Sequence, residues 1–170
     1  MAIEMLDHVV MTDYGQFDIV WGGFGFDGDF APFFAGQVNG LVGAARGDGI
    51  YIHFARRYRG SHVRIVLLEQ EPPEPGDQWE DVVEVSATVP AGATVGWLSW
   101  AGETGGALEA LVPGSYRLRV SACGRDRAHA RGAVDHYLLE FWAAAPGPDH
   151  ILRTGSANAL YWHREIGSRR

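Results

Sequence analysis

Ser115-Tyr116-Arg117-Leu118-Arg119-Val120-Ser121 alternates strictly, with Tyr116, Leu118 and Val120 on one side and Arg117 and Arg119 on the other. Asp135-His136-Tyr137-Leu138-Leu139-Glu140-Phe141-Trp142 follows it as a second strand-forming run. A period of two places one face in a core and the other in water, which is how an antiparallel sheet reads. Pro113-Gly114 supplies the turn that feeds the first of these strands.

The same grammar recurs along the chain. Asp7 to Met11, Gln16 to Trp21, Val38 to Ala45, Gly49 to Ala55, His62 to Glu69, Glu80 to Val89 and Thr94 to Trp100 read as strands, with Ala107 to Leu111 as a further short one. Arg46-Gly47-Asp48-Gly49 closes a hairpin between the third and fourth, and Arg125 to Arg131 reads as a charged hairpin tip. Regular spacing and the absence of heptads or longer repeats give an all-β fold, an antiparallel β-sandwich of jelly-roll character with about nine strands. It is expected to occupy residues 1–145, leaving 146–170 as a linker and a short helix. Ser156 caps that helix, and Leu160, Tyr161 and Trp162 carry enough apolar area to dock it on the sandwich.

Composition narrows the function classes. The chain has 170 residues, 46% hydrophobic and 21% charged, which suits a globular domain with its own core. A net charge of −7 speaks against nucleic acid or an anionic membrane as the main partner and is compatible with a basic protein. All 14 basic residues are Arg, which we read as codon bias, since no phosphate-binding loop gathers them. Cys123 is the single cysteine, so no intrachain disulfide forms and a cytoplasmic address is expected. The first ten residues contain Glu4 and Asp7 and no basic region, unlike a signal peptide, and no apolar run has the length of a membrane span.

No catalytic constellation, metal-ligand motif or cofactor fingerprint is present. The seven histidines share no ligand spacing, although His53 and His62 fall on strands expected to be neighbours. Two stretches are candidates for binding. Between Glu69 and Glu84 the chain carries seven acids and no basic residue, and Pro72, Pro73 and Pro75 stiffen its middle. Glu71, Glu74, Asp77, Glu80 and Asp81, with Trp79 as an apolar anchor, form a candidate surface for a basic partner, weighed against a merely solvated loop. The second stretch is the aromatic loop Gly22 to Phe34. Phe24, Phe26, Asp27, Asp29 and Phe30 are the alternative ligand-binding residues, for a small molecule, a carbohydrate or calcium, with Trp97 or Trp100 as stacking platforms. Arg56-Arg57-Tyr58-Arg59 holds a ring that can stack on a base, but direct nucleic-acid binding is not expected of so acidic a chain. Pairing of exposed aromatics between two copies stays open.

Thr12-Asp13-Tyr14-Gly15-Gln16-Phe17, Gly40-Leu41-Val42 before Gly49-Ile50-Tyr51-Ile52, Val83-Glu84-Val85, Leu111-Val112-Pro113-Gly114-Ser115-Tyr116-Arg117-Leu118 and Asp135-His136-Tyr137-Leu138 occur in that order. This succession, over about residues 8 to 142, resembles the competence protein J family, small β-rich inhibitors of the DNA-entry nuclease. The aromatic loop and the tail from Pro146 lie outside the matched motifs. The resemblance implies a non-enzymatic inhibitor or immunity-type protein acting on a nuclease or toxin. It carries over no inhibitory residue, and the acidic loop is the natural element to fill a cationic groove in place of DNA phosphates.

Overall fold

The structure, a computed structural model, describes residues 1–22, 29–132 and 135–167. Its strands are β1 (Ala2–Met11), β2 (Gln16–Trp21), β3 (Val42–Gly43), β4 (Gly49–His53), β5 (Gly60–Leu68), β6 (Asp81–Val89), β7 (Val95–Ser99), β8 (Gly105–Ala107), β9 (Gly114–Cys123), β10 (His136–Ala143) and β11 (His150–Arg153), followed by a helix, α1 (Ala157–Trp162). Two sheets form, ordered β1-β5-β10-β9-β6-β11 and β3-β4-β2-β7-β8. The fold is an all-β sandwich. Among the described residues all pairings are antiparallel except one: β10 runs antiparallel to β9 but parallel to β5, with His136 opposite His62 and Trp142 opposite Leu68.

Alternation drives the packing. Tyr116, Leu118, Val120 and Ala122 of β9 face the second sheet, together with Tyr137, Leu139 and Phe141 of β10 and Val83 and Val85 of β6. Phe17, Ile19, Ile50, Ile52 and Trp97 close the core from the other side. Rings bridge the layers: Trp97 stacks on Phe17 at 5.6 Å, Phe17 on Phe54 at 5.0 Å, and Phe54 on Tyr137 at 3.7 Å. Such pairs add to the apolar burial that holds the sheets together.

Several expectations are corrected. Val38 to Ala45 yields only the two-residue β3, because side chains take the backbone N–H groups before it. Asp149 accepts from Val38 and Asn39, and Asn39 Oδ1 accepts from Leu41 and Val42. β11 was hidden behind Pro146-Gly147-Pro148 and pairs with β6 in an interrupted register. His53 and His62 lie in different sheets. Arg125 is no exposed hairpin tip: it is buried at the end of the sandwich.

Ser156 caps α1 as expected, its Oγ accepting from Ala159 N–H at 3.0 Å, and one π-helical turn, His163–Gly167, continues the helix. The tail packs on the outer face of the second sheet. Trp162 and Ile166 meet Phe30, Phe33, Phe34 and Tyr51 in a separate apolar cluster. Close approach requires a glycine at position 40, where a Cβ would come within 2.0 Å of the Trp162 carbonyl oxygen.

His53 is sandwiched there, 4.1 Å from Trp162 and 5.3 Å from Phe34. Burial, aided by the Arg125 charge, lowers its pKa to about 3. Burial also lowers that of His163, whose Nδ1 accepts from Gly40 N–H at 3.0 Å. The unfolded chain therefore binds a proton below about pH 6.5 that folded His53 refuses until about pH 3, so stability falls as pH drops through that window. Replacing His53→Phe should remove about 1.4 kcal/mol per pH unit from the acid slope of unfolding free energy, measured by denaturation between about pH 4 and 6. An unchanged slope would show that His53 is not held neutral.

Candidate functional site

The acidic stretch connects β5 to β6 and crosses the outer face of the first sheet. That face is not simply wet. Arg117 and Arg119 project from it as the alternation requires, yet they are 8% and 4% exposed. Both engage Glu84 on the neighbouring strand: Arg119 donates from Nε to Oε1 at 2.8 Å, and Arg117 from Nη2 to Oε2 at 3.2 Å. One carboxylate cannot use all the donors of two guanidiniums. The surplus goes to backbone carbonyls and, from Arg117 Nη1, to Ser86 Oγ at 3.0 Å. Arg119 Nη1 donates to Pro73 O at 2.5 Å and Pro72 O at 3.4 Å, and Arg117 Nη1 to Pro148 O at 2.9 Å and Gly147 O at 3.2 Å.

From the sheet edge, Arg153 of β11 completes the clamp. Its Nη1 donates to Trp79 O at 2.7 Å and Gly76 O at 3.0 Å, and its Nη2 to Pro75 O at 3.2 Å. The loop is thus held through its carbonyls by guanidiniums beneath and beside it, leaving several carboxylates in water. Glu71, Glu74 and Asp77 are exposed. Glu71 comes no nearer than 4.0 Å to Arg119. Glu80 is exposed as well but accepts from Gly124 N–H at 2.8 Å. Trp79 is half-buried and walls a shallow concavity with His62, Arg64, Cys123, His136 and Leu138.

Asp81 leaves the candidate surface. It is 0% exposed and accepts from Gly155 N–H, Ser156 N–H and Ser156 Oγ, with Arg125 Nε 3.8 Å away. A carboxylate so enclosed ties the tail to the sandwich and touches no partner. Arg125 extends the same network by donating to His53 O at 2.9 Å and Asn158 Oδ1 at 2.6 Å. A second buried pair, Arg56 with Asp135 at 3.4 Å, lies beside it, and Ser61 and Tyr137 hydroxyls donate to Asp135. Our reading of the arginines as codon bias missed these roles. The signal was present in Arg117 and Arg119, two cations at alternate positions of a strand.

Of the alternative ligand residues, Phe24, Phe26 and Asp27 lie outside the described residues. Asp29 accepts from Ala31 N–H at 2.9 Å, stabilising a local turn, and Phe30 belongs to the apolar cluster under the tail. Trp97 is buried and cannot serve as a platform, while Trp100 is half-exposed. Among the described residues no group of three or more His, Cys, Asp or Glu is placed to hold a metal. Burial raises the Cys123 thiol above its ordinary pKa, the opposite of a nucleophile. No described helix is long and apolar enough to cross a membrane.

No protein-family model and no curated protein matches the chain. Among solved structures, ComJ from Bacillus subtilis, inhibitor of the DNA degrading activity of NucA, aligns over 85% of this chain and 99% of its own, with a TM-score of 0.62. The chain shares the ComJ fold. Identity is 16%, so the likeness concerns the path of the backbone, and it agrees with the resemblance read from the order of motifs. The crocagin biosynthetic gene J product aligns over 85% of this chain and 99% of its own at 13% identity, with a TM-score of 0.49.

Arg119→Met should strip the loop of its central clamp and leave Glu84 under-compensated. We expect a loss on the order of 3 kcal/mol, with new proteolytic cleavage between residues 70 and 79. Unchanged stability and cleavage would show that Arg119 does not hold the loop.

Proposed function

We propose that this chain is a non-enzymatic inhibitor that closes the substrate groove of a basic, nuclease-like protein with its acidic loop. One observation carries the proposal: Glu71, Glu74 and Asp77 are exposed on a loop whose backbone is fixed by Arg119 and Arg153. A groove built for phosphates attracts such carboxylates over long range, which accelerates encounter. A loop already ordered before binding loses little entropy when it docks. Trp79 gives the surface an apolar anchor beside the charges, the composition of an interface hot spot. The shared fold with ComJ, itself an inhibitor of a DNA-degrading activity, supports the choice of partner class.

The mechanism is occlusion, so it asks nothing of a catalytic side chain. Exposed carboxylates stand where backbone phosphates of the nucleic acid would lie, and Trp79 packs against the rim. Because attraction operates across water, salt should slow association more than dissociation.

Glu74→Arg with Asp77→Arg should weaken inhibition of the cognate nuclease by at least about a hundredfold, chiefly through association rate, and shift Tm by less than about 2 °C. The readout is nuclease assay and binding kinetics against the protein produced with this one in its host. Inhibition that survives the double reversal in a folded variant would eliminate the acidic-loop mechanism.

A further inference from the structure

The end of the sandwich where β1 turns into β2 carries a surface of opposite character. Tyr14 and Tyr58 are 53% and 60% exposed. The Tyr14 ring lies 4.9 Å from Trp100 and 6.3 Å from Tyr58, and the Arg57 guanidinium stands 5.8 Å from its centre. Arg59 is exposed beside them. Arg56 Nη2 donates to Ala130 O at 3.0 Å, drawing in the loop that carries exposed Arg127 and Arg131. None of Arg57, Arg59, Arg127 and Arg131 has an ion-pair partner among the described residues. Asp13 and Glu103 are the carboxylates on the aromatic-bearing loops.

The backbone here is held in an unfavourable shape. Among the described residues, the non-glycine positions with positive φ are Tyr14, Arg59 and Ala101, at 54°, 78° and 54°. All of them border this patch. Tyr14 and Gly15 are the central residues of a turn closed by Gln16 N–H on Asp13 O at 3.2 Å, with both φ positive. Asn, Asp or Gly suits the first of those positions, and Tyr does not. Tyr14 N–H donates to Arg57 O at 2.7 Å and Thr12 N–H to Arg59 O at 3.0 Å, so the two strained loops brace each other. Strain of this kind persists where a side chain is needed for binding.

We infer that this end docks single-stranded nucleic acid, with bases stacking on Tyr58, Tyr14 and Trp100 and phosphates meeting Arg57, Arg59, Arg127 and Arg131. Aromatic faces interleaved with guanidiniums match a polymer that alternates base and phosphate, whereas an acidic protein surface would call on the cations alone. The acidic loop leaves from the far end of β5 and rejoins this end only at Glu80, whose carboxylate accepts from Gly124 N–H at 2.8 Å. Asp126 on the arginine-bearing loop accepts from Ala157 and Asn158 N–H, so Glu71, Glu74 and Asp77 are the acids the net charge of −7 places away from the rings. The inference stands apart from the inhibitor proposal and uses none of the acidic-loop residues.

Fluorescence anisotropy with a labelled oligothymidine of about 12 nucleotides tests it on the full chain. Binding is expected at about 50 mM salt, with log K falling against log salt at a slope of about −2, as for a few phosphate contacts. Tyr58→Ala should weaken it about tenfold or more, and an abasic strand of equal length should bind as poorly. Tyr14→Asn should weaken binding while leaving Tm unchanged or raising it by about 2–4 °C, because Asn relieves the left-handed position. Three outcomes would overturn the inference: no binding of the oligonucleotide at low salt, equal affinity for the abasic strand or for polyglutamate, or a Tyr14→Asn variant that is destabilised yet binds normally.

Discussion

The carboxylate of Glu84 lying between Arg119 and Arg117 governs the outer face of the first sheet. Two guanidiniums on alternate residues of β9 would ordinarily remain in water. Here one buried acid fixes both, and their remaining donors must find acceptors or incur the cost of burial without partners. The acceptors are the carbonyls of Pro72, Pro73, Gly147 and Pro148, together with the Ser86 hydroxyl. Pro/Gly-rich segments on either side of the strand therefore lie down on the sheet instead of waving above it. One buried carboxylate with its two guanidiniums is thus the mount for an acidic surface.

Most of the sandwich was legible. Strict alternation in β9 and β10, glycine and proline between the runs, and the Ser156 cap translated directly into elements. What escaped was information that local pattern does not contain. The parallel pairing of β5 with β10 joins residues more than seventy positions apart, and no periodicity encodes it. β3 shrank because Asn39 and Asp149 captured N–H groups that a strand would have used. β11 is brief, mostly exposed and preceded by prolines, so it resembled linker.

The candidate site was legible in composition and illegible in orientation. The acidic run between Glu69 and Glu84 looked uniform. Folding divided it: Asp81 and Glu84 turned inward to meet Arg125, Arg119 and Arg117, while Glu71, Glu74 and Asp77 stayed outside. Which acid went inward depended on arginines distant in sequence. The aromatic residues also separated, Phe33 and Phe34 into a second core beneath the tail, Tyr14, Tyr58 and Trp100 onto the surface. The molecule thus carries negative charge along one flank and cations among rings at one end.

Rigidity of the acidic loop in the free protein is the central physical claim, and backbone 15N relaxation measures it. Amides of Glu71, Glu74 and Asp77 should show order parameters near those of the strands, about 0.8 or higher. Values below about 0.6 at these residues, with the strands rigid, would contradict a loop clamped through Arg119 and Arg153.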